Sequence, residues 1–286
     1  MSLRRSRGAA LLLVLWLIAL LTALIGAFAL TARVELLQGK ALGKGAEAQE
    51  IARAGVEYAL ARIADTDPAS HWLPDGRLYR WNFAGSRVEL DIVDETGKVD
   101  LNQADVALLS ALIKTVGGDS APAAQLAAAI VDWRDPDPLT QPEGGAEDPD
   151  YAAAGLPYGA KDAPFETVAE VEQVLGMTPQ IYARLEPSLT LYSGRVQPDP
   201  NYAPAPVLVA LGLDPAAWLA RRRPAESAIG DSQLLGAGSG TYSIESRATL
   251  KEGRRAILRT VVRAGGGPVP GSVYTILRWE EAAAPQ

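Results

Sequence analysis

The amino-terminal stretch RRSRGAALLLVLWLIALLTALIGAFALTA, residues 4–32, sets the architecture of this 286-residue chain. Three arginines precede Gly8, and no charged residue follows from position 9 to position 32. A helix of this length, at about 1.5 Å per residue, reaches about 36 Å, enough to cross a hydrocarbon layer of about 30 Å. The sequence therefore predicts a membrane-spanning helix whose arginines stay on the cytoplasmic side.

A cleavable secretory signal is the alternative, because Ala27-Phe28-Ala29 has the small-x-small pattern of a cleavage site. Such signals, however, have an apolar core of only about 7–15 residues. The apolar pattern here also continues beyond the uncharged run at helical spacing, through Leu37, Ala41, Ala48, Ala52, Val56, Ala59, Leu60 and Ile63. We expect one helix of about 55 residues, or about 80 Å, with its first half in lipid and its second half packed on a domain.

A short basic leader that ends in glycine, an apolar stretch directly after it and a long amphipathic extension resemble type IV pilins and pseudopilins. In that class, a membrane-embedded prepilin peptidase cuts after the glycine and methylates the new amino terminus. The resemblance implies a leader of residues 1–8 and cleavage between Gly8 and Ala9. Removing the three arginines would change the formal net charge from −7 to −10.

The fifth position of the mature chain separates one subfamily from the rest. Most members have a glutamate there, which pairs with the amino terminus of a neighbouring subunit, and an unpaired acid in lipid is costly. Here that position is Leu13, so the subunit offers no acid to a subunit ahead of it. Together with Leu15-Trp16-Leu17, this absence resembles the K-type minor pseudopilins of the type II secretion system, which lie at the filament tip.

Predicted strands lie on both sides of a helical middle. RVELDIVDE (residues 87–95) alternates apolar and acidic residues, as a half-buried strand does. Three late stretches also have strand character: TYSIESRATL (241–250), RAILRTVVRA (255–264) and VYTILRWEE (273–281). We predict an α+β fold, with a type IV pilin-like long N-terminal helix packed on an antiparallel β-sheet and a large inserted all-α domain. The predicted segments are the leader 1–8, the transmembrane half-helix 9–32, the amphipathic helix and first strands 33–98, the inserted domain 99–236 and the C-terminal strands 237–286.

The middle of the chain contains an internal repeat. NQADVALLSAL (residues 102–112) aligns without a gap on NYAPAPVLVAL (201–211), and Asn102 and Asn201 are predicted to cap the two helices. FETVAEVEQVLGMTPQIYARL (165–185) adds a helix pair around Gly176. These features predict helix-hairpin-helix-like repeats.

Helix-hairpin-helix units often bind nucleic acid, so a membrane-anchored DNA-binding protein is a second alternative. Few basic residues flank the glycine turns, and the sequence pI is about 4.9. A basic footprint is missing, so we expect compact helix packing and no nucleic-acid partner.

The stretch VDWRDPDPLTQPEGGAEDPDY (residues 131–151) is rich in acids, and its prolines and paired glycines predict a loop rather than a helix. Carboxylates and carbonyls on a loop suit Ca²⁺, although a fully solvated loop is the alternative. K-type proteins have a similar DW-x-D-x-D…G-x-E-D-x-x-Y pattern and bind calcium. The resemblance implies calcium with these metal ligands: Asp132, Asp135, Asp137, Glu147 and Asp148.

No catalytic pattern occurs in the sequence. The chain has no cysteine and one histidine, His71, which lies in a polar connecting segment. Nucleophile elbows and phosphate-binding glycine loops are absent, so we expect no enzyme.

The resemblance implies a single-pass inner-membrane protein with a cytoplasmic N-terminus and a periplasmic body. Its expected partners are the I and J types of minor pseudopilin, the pseudopilus and the prepilin peptidase. Its expected role is to initiate the pseudopilus for export across the outer membrane. A minor pilin of a type IV pilus is the remaining alternative.

Overall fold

The computed structural model describes residues 7–67, 69–117, 120–222, 238–265 and 274–283. The first helix, α1, runs from Arg7 to Ile63 over 57 residues, so the prediction of one long helix is confirmed. The first six leader residues lie outside the described ranges. The part of α1 that is apolar enough to cross a membrane has none of its side chains buried against the body.

The remaining elements follow α1 in a strand–helix–strand order. They are β1 (Asp75–Phe83), β2 (Ser86–Asp94), β3 (Val99–Asp100), α2 (Val106–Thr115), α3 (Ser120–Arg134), α4 (Asp148–Ala153), α5 (Pro179–Leu185), β4 (Leu189–Thr190), α6 (Ala205–Ala210), α7 (Pro215–Arg222), β5 (Thr241–Thr249), β6 (Arg255–Ala264) and β7 (Tyr274–Ala283). Short 3-10 helices lie at Glu95–Gly97, Val168–Gln173 and Glu186–Ser188.

The main sheet has five antiparallel strands in the order β1-β2-β5-β6-β7. One face packs against the second half of α1, whose buried residues are Ala48, Ile51, Ala52, Val56, Ala59 and Ile63. The predicted stripe on the helix is therefore buried from Ala48 onward, while Leu37 and Ala41 remain exposed. We call α1 and this sheet the pilin-like module.

The helices between β2 and β5 form a second core of their own, built around Leu109, Leu112, Ile130, Leu185 and Leu208. A short parallel pair joins β3, at the start of this region, to β4, which precedes α6. Because β2 and β5 are hydrogen-bonded neighbours, the helical region is an insertion between two adjacent strands. The predicted α+β fold is confirmed, and we call the insertion the helical module.

Strand β1 was not predicted. Its side chains alternate between half-buried and exposed positions, with Tyr79 and Trp81 on the inner side. The alternation of aromatic and polar residues in RLYRWNF was the available signal, but Asp75 and Gly76 at its start are typical of a turn.

The repeat produces helices that begin at equivalent positions, Val106 in α2 and Ala205 in α6. The prediction that asparagines cap them is wrong. Asp105 caps α2 by accepting a 2.8 Å hydrogen bond from the Leu108 N–H. Pro204 precedes α6, so neither helix starts directly after its asparagine.

Candidate functional site

The acidic segment 131–151 lies between two helices of the helical module. Helix α3 continues to Arg134, and α4 begins at Asp148, so the prediction that this segment contains no regular helix is wrong at both ends. Pro149 is accommodated because it lies in the first turn of α4, where a backbone N–H has no intrahelical acceptor. The connecting loop is therefore residues 135–147.

Asp132 organises this loop from the last turn of α3. Its carboxylate is fully buried and accepts hydrogen bonds from the N–H groups of Gln141, at 3.2 Å, and Ala146, at 2.8 Å. A Cβ atom at Gly145 would overlap this carboxylate, so only glycine fits beside it. Burial raises the pKa of Asp132 above its ordinary value, against the lowering effect of these backbone hydrogen bonds.

Glu147 ends the loop directly before α4. Its N–H donates to the carboxylate of Asp150 at 3.0 Å, which fixes the backbone at the start of the helix. Its side chain is buried, with 6% of its surface exposed, and within the described part of the chain Oε1 has no hydrogen-bond partner. Burial, reinforced by neighbouring carboxylates, raises the pKa of Glu147 to about 7; those carboxylates belong to Asp132, Asp162, Asp148 and Asp137.

The other predicted ligands are more exposed. Asp135 accepts from the Asp137 N–H at 3.4 Å, and Asp137 accepts from the Leu139 N–H at 2.9 Å. The carboxylate of Asp148 lies against Gly159, where a Cβ atom would overlap it. The structure thus places Asp132, Glu147 and Asp148 around the beginning of α4, with Asp135 and Asp137 in the turns of the loop.

Asp162 is a candidate that sequence reasoning missed. It has a left-handed backbone with φ of 54°, unusual for a residue other than glycine. Its charge contributes to the raised pKa of Glu147. It lies outside the acidic stretch, in the segment GAKDAP (159–164), and no spacing rule connects it with Glu147.

An aromatic cluster packs against both ends of the acidic loop. Trp133 and Tyr151 are buried with ring centroids 5.9 Å apart, and Phe165 stacks against Trp133 at 6.4 Å. The Tyr151 hydroxyl accepts a hydrogen bond from the Leu175 N–H at 3.1 Å. These contacts hold the two ends of the acidic loop against the core of the helical module.

Across the described ranges, no group of three or more acidic or histidine side chains is already arranged to hold a metal ion. The unpaired oxygen of Glu147 nevertheless lies among like charges, and a buried carboxylate in that setting is costly without a cation. Oxygen donors from carboxylates are also the ligands that Ca²⁺ prefers. The chemistry of the donors therefore fits calcium, and the ligand set stays a prediction.

Comparison with known proteins gives the relationship of the chain. The family described as "Type II secretion system (T2SS), protein K" matches residues 87–194, which include the acidic loop. The type II secretion system protein K of Klebsiella pneumoniae is 30% identical over 265 residues, which cover 83% of this chain and 76% of that protein. This chain belongs to the type II secretion system protein K family.

Other K-family relatives agree. The type II secretion system protein K of Pectobacterium carotovorum is 26% identical over 208 residues, covering 64% of this chain and 62% of that protein. A chain in the crystal structure of the GspK-GspI-GspJ complex from the enterotoxigenic Escherichia coli Type 2 Secretion System has the same fold, with a TM-score of 0.56 at 20% identity. That match covers 88% of this chain and 99% of the other. As a K-family member, the chain is a minor pseudopilin of a type II secretion system.

Proposed function

We propose that this K-family chain lies at the tip of the periplasmic pseudopilus and initiates its assembly for protein export across the outer membrane. The observation that carries this proposal is Leu13, an exposed apolar side chain at the fifth mature position of a helix with no charge from residue 9 to 32. Without an acid there, the helix has no carboxylate to pair with the amino terminus of a subunit ahead.

The helical module supports the tip position on steric grounds. It is inserted between β2 and β5 and adds a second core to the pilin-like module. Subunits inside a filament stack closely along their long helices, and a second module of this size would collide with the next subunit. At the tip, no subunit lies above it.

We infer that α1 binds partner helices through apolar side chains that remain exposed beyond the uncharged run: Val34, Leu36, Leu37 and Leu42. Exposed apolar side chains on an extended helix are typical of a surface for partner helices. The similar E. coli chain is in a complex with GspI and GspJ, and we propose the corresponding I and J pseudopilins as partners here.

The complex with I and J can be tested by co-purification. Changing Leu37 or Leu42 to Asp should abolish recovery of the ternary complex and secretion. The matched controls are Leu139→Asp and Val196→Asp, which alter equally exposed apolar residues of the helical module and should leave the complex intact. Equal loss in both pairs, or a normal complex with Leu37→Asp, would contradict the proposed surface.

We also propose that prepilin peptidase cuts between Gly8 and Ala9, leaving α1 as the inner-membrane anchor with a periplasmic body. The positive-inside bias of the leader arginines supports this orientation. Gly8→Leu should give a slower-migrating, unprocessed protein on a gel and abolish secretion. Gly26→Ala, at a glycine with open space around its Cα, should be processed normally. A mature terminus beyond residue 29 would instead identify a cleaved secretory signal.

We further propose that calcium binds at the acidic loop. The buried, unpaired oxygen of Glu147 supports this proposal, and Asp132, Asp135, Asp137, Glu147 and Asp148 are the proposed ligands. A chelator should lower the melting temperature of the purified protein, and added Ca²⁺ should restore it. Glu147→Gln should remove most of this response. Glu143→Gln, at an exposed acid of the same loop, should keep it. An unchanged melting curve with chelator would favour a solvated loop.

A further inference from the structure

Each copy of the helical repeat ends with an arginine that binds the turn before its first helix. Arg134, at the end of α3, donates hydrogen bonds to the carbonyl oxygens of Leu101 and of Ala104, the latter at 2.5 Å. These carbonyls precede α2, so the guanidinium links the end of α3 to the turn at the start of the first copy.

Arg222, at the end of α7, does the same in the second copy. It donates from Nη2 to the carbonyl oxygens of Pro200 and of Ala203, the latter at 2.8 Å. Pro200 and Ala203 align with Leu101 and Ala104 of the first copy. The two arginines are therefore structural counterparts, although their helices differ in length.

The two arginines differ in what surrounds the rest of the guanidinium. Arg222 is buried, with 5% of its surface exposed, and across the described residues its Nε and Nη1 atoms have no hydrogen-bond partner. Three of its five N–H donors are thus unused. Leaving buried donors of a charged group without hydrogen-bond partners is costly. Among the described residues, Arg134 has no buried nitrogen atom without a partner.

The sequence around each arginine shows that the two guanidinium groups have different charged neighbours. Arg134 is near three carboxylates, those of Asp100, Asp105 and Asp135. At the aligned positions, the second copy has Asp199, Pro204 and Arg223. The second copy therefore keeps one of the three acids and replaces another with a base.

Two carboxylates lie near Arg222, those of Asp75 and Asp199, and both already accept other hydrogen bonds. Asp75, at the start of β1, accepts hydrogen bonds from Arg77 at 2.8 and 2.6 Å. Arg77 in turn donates to the main-chain oxygen of Arg222 at 3.0 Å. Asp199 accepts a hydrogen bond from the Asn201 N–H at 2.9 Å. Within the described residues, Nε and Nη1 of Arg222 therefore have no hydrogen bond to either carboxylate.

A cavity of about 380 Å³ lies at this corner, lined by Asp75, Gly76, Arg77, Leu219 and Arg222. We propose that this cavity receives the carboxylate of an aspartate or glutamate side chain from a partner protein, bound by the guanidinium groups of Arg222 and Arg77, which both line it. A carboxylate is the occupant because its two oxygens match the planar N–H donors of a guanidinium group.

The test uses full-length protein in detergent and a capped amino acid as the probe. N-acetyl-glutamate amide, at roughly ten times its dissociation constant, should raise the melting temperature by about 3 °C. The neutral analogue N-acetyl-glutamine amide should give no rise. Arg222→Lys retains the charge but lacks the planar set of donors, and it should abolish the rise. Arg77→Gln, at a partly exposed side chain, should weaken the apparent affinity for N-acetyl-glutamate amide at least threefold.

Arg134→Lys is the matched control, because it makes the same change at the counterpart arginine. It should lower the melting temperature but leave the response to N-acetyl-glutamate amide unchanged. The proposal is overturned if the neutral analogue stabilises equally, or if Arg222→Lys and Arg77→Gln both respond like the unmodified protein. Acetate or inorganic phosphate giving an equal rise at equal concentration would also overturn it, because the cavity would then take free anions without regard to a side-chain carboxylate.

Discussion

The pilin-like module and the helical module bury different kinds of side chain. In the part of the chain that the structure describes, the buried charged side chains are Asp94, at the end of β2, and six in the helical module or at its start: Glu95, Lys98, Asp100, Asp132, Glu147 and Arg222. The core between α1 and the main sheet is instead formed by aliphatic and aromatic side chains such as Val56, Leu90 and Ile244.

This difference follows from backbone hydrogen bonding. Long helices and ladders satisfy their own N–H and C=O groups, so the pilin-like core needs no charged partner. Short helices leave a large share of their backbone groups free at each end. Asp132, Arg134 and Arg222 bind backbone groups in the segments that lead into α4, α2 and α6. The helical module therefore depends on buried ions, and that dependence makes sites for external ions possible.

The junction between the modules should give the largest effect. Glu95 accepts hydrogen bonds from Lys98 at 2.7 Å and from the hydroxyls of Thr190 and Ser243, so it joins the helical module to β5. Glu95→Ala should lower the free energy of unfolding by about 3–5 kcal/mol, because Lys98 is left buried without its carboxylate and keeps only the Ser243 hydroxyl as an acceptor. Denaturant unfolding measures this loss, and calorimetry should show two transitions in place of one.

A double variant separates the buried charge from the lost contact. Glu95→Leu with Lys98→Met removes both ions, so it should recover a large part of the stability lost by Glu95→Ala. If both variants are equally destabilised, the hydroxyls of Thr190 and Ser243 dominate the junction rather than the ion pair.

The close approach of α1 to the sheet should give the next largest effect. A Cβ atom at Gly55 would lie 2.9 Å from Val88 Cγ1 and 3.3 Å from Leu90 Cδ2. Gly55→Val should cost about 1–3 kcal/mol in unfolding free energy by overpacking. Gly43→Ala is the control, because no atom lies within 4 Å of the added Cβ, and it should be neutral or stabilising. A neutral Gly55→Val would show that the helix is not held tightly on the sheet.

The modules also differ in how far sequence predicts them. The long helix and four of the five main strands follow from patterns repeated over many residues, so each prediction rested on several agreeing positions. Composition identified the acidic stretch, and the resemblance to K-type proteins selected Asp132 and Glu147 within it, but burial gives these two residues different roles. Asp132 fixes the loop through backbone hydrogen bonds, and Glu147 keeps an unpaired oxygen. Asp162 and Arg222 depend on tertiary contacts that local sequence does not specify.

Asp91 tests whether the pilin-like module is insensitive to pH. It lies opposite Glu245 on the outer face of the sheet. Burial raises the pKa of Asp91 above its ordinary value. The negative charges of Glu245 and Asp75 add to this shift, and the positive charges of Arg247 and Lys98 oppose it. The folded state then binds the Asp91 proton more tightly than the unfolded state does. The stability that Asp91 contributes is fully present below the ordinary pKa and is lost as pH rises through the folded pKa.

Asp91→Asn removes this ionisation. The melting temperature of the variant relative to the unmodified protein should therefore be higher at pH 7 than at pH 3.5, with a shift of about 1–3 °C between the two conditions. A constant difference would show that Asp91 is solvated well enough to ionise without cost, and that the outer face of the sheet is as insensitive as its inner face.

The smallest effect should come from an exposed ion pair of the pilin-like module. Lys44 on α1 lies 2.8 Å from Glu252 in the turn between β5 and β6 and 2.6 Å from Glu47, yet its side chain is 46% exposed. Water and salt screen such a pair, and ordering two long side chains opposes it. Lys44→Gln should shift the melting temperature by less than Glu95→Ala, Gly55→Val or Asp91→Asn, and raising the salt concentration should leave the difference from the unmodified protein near zero. A shift as large as that of Glu95→Ala would mean that surface charge holds α1 on the sheet, and the contrast between an apolar module and an ion-dependent module would fail.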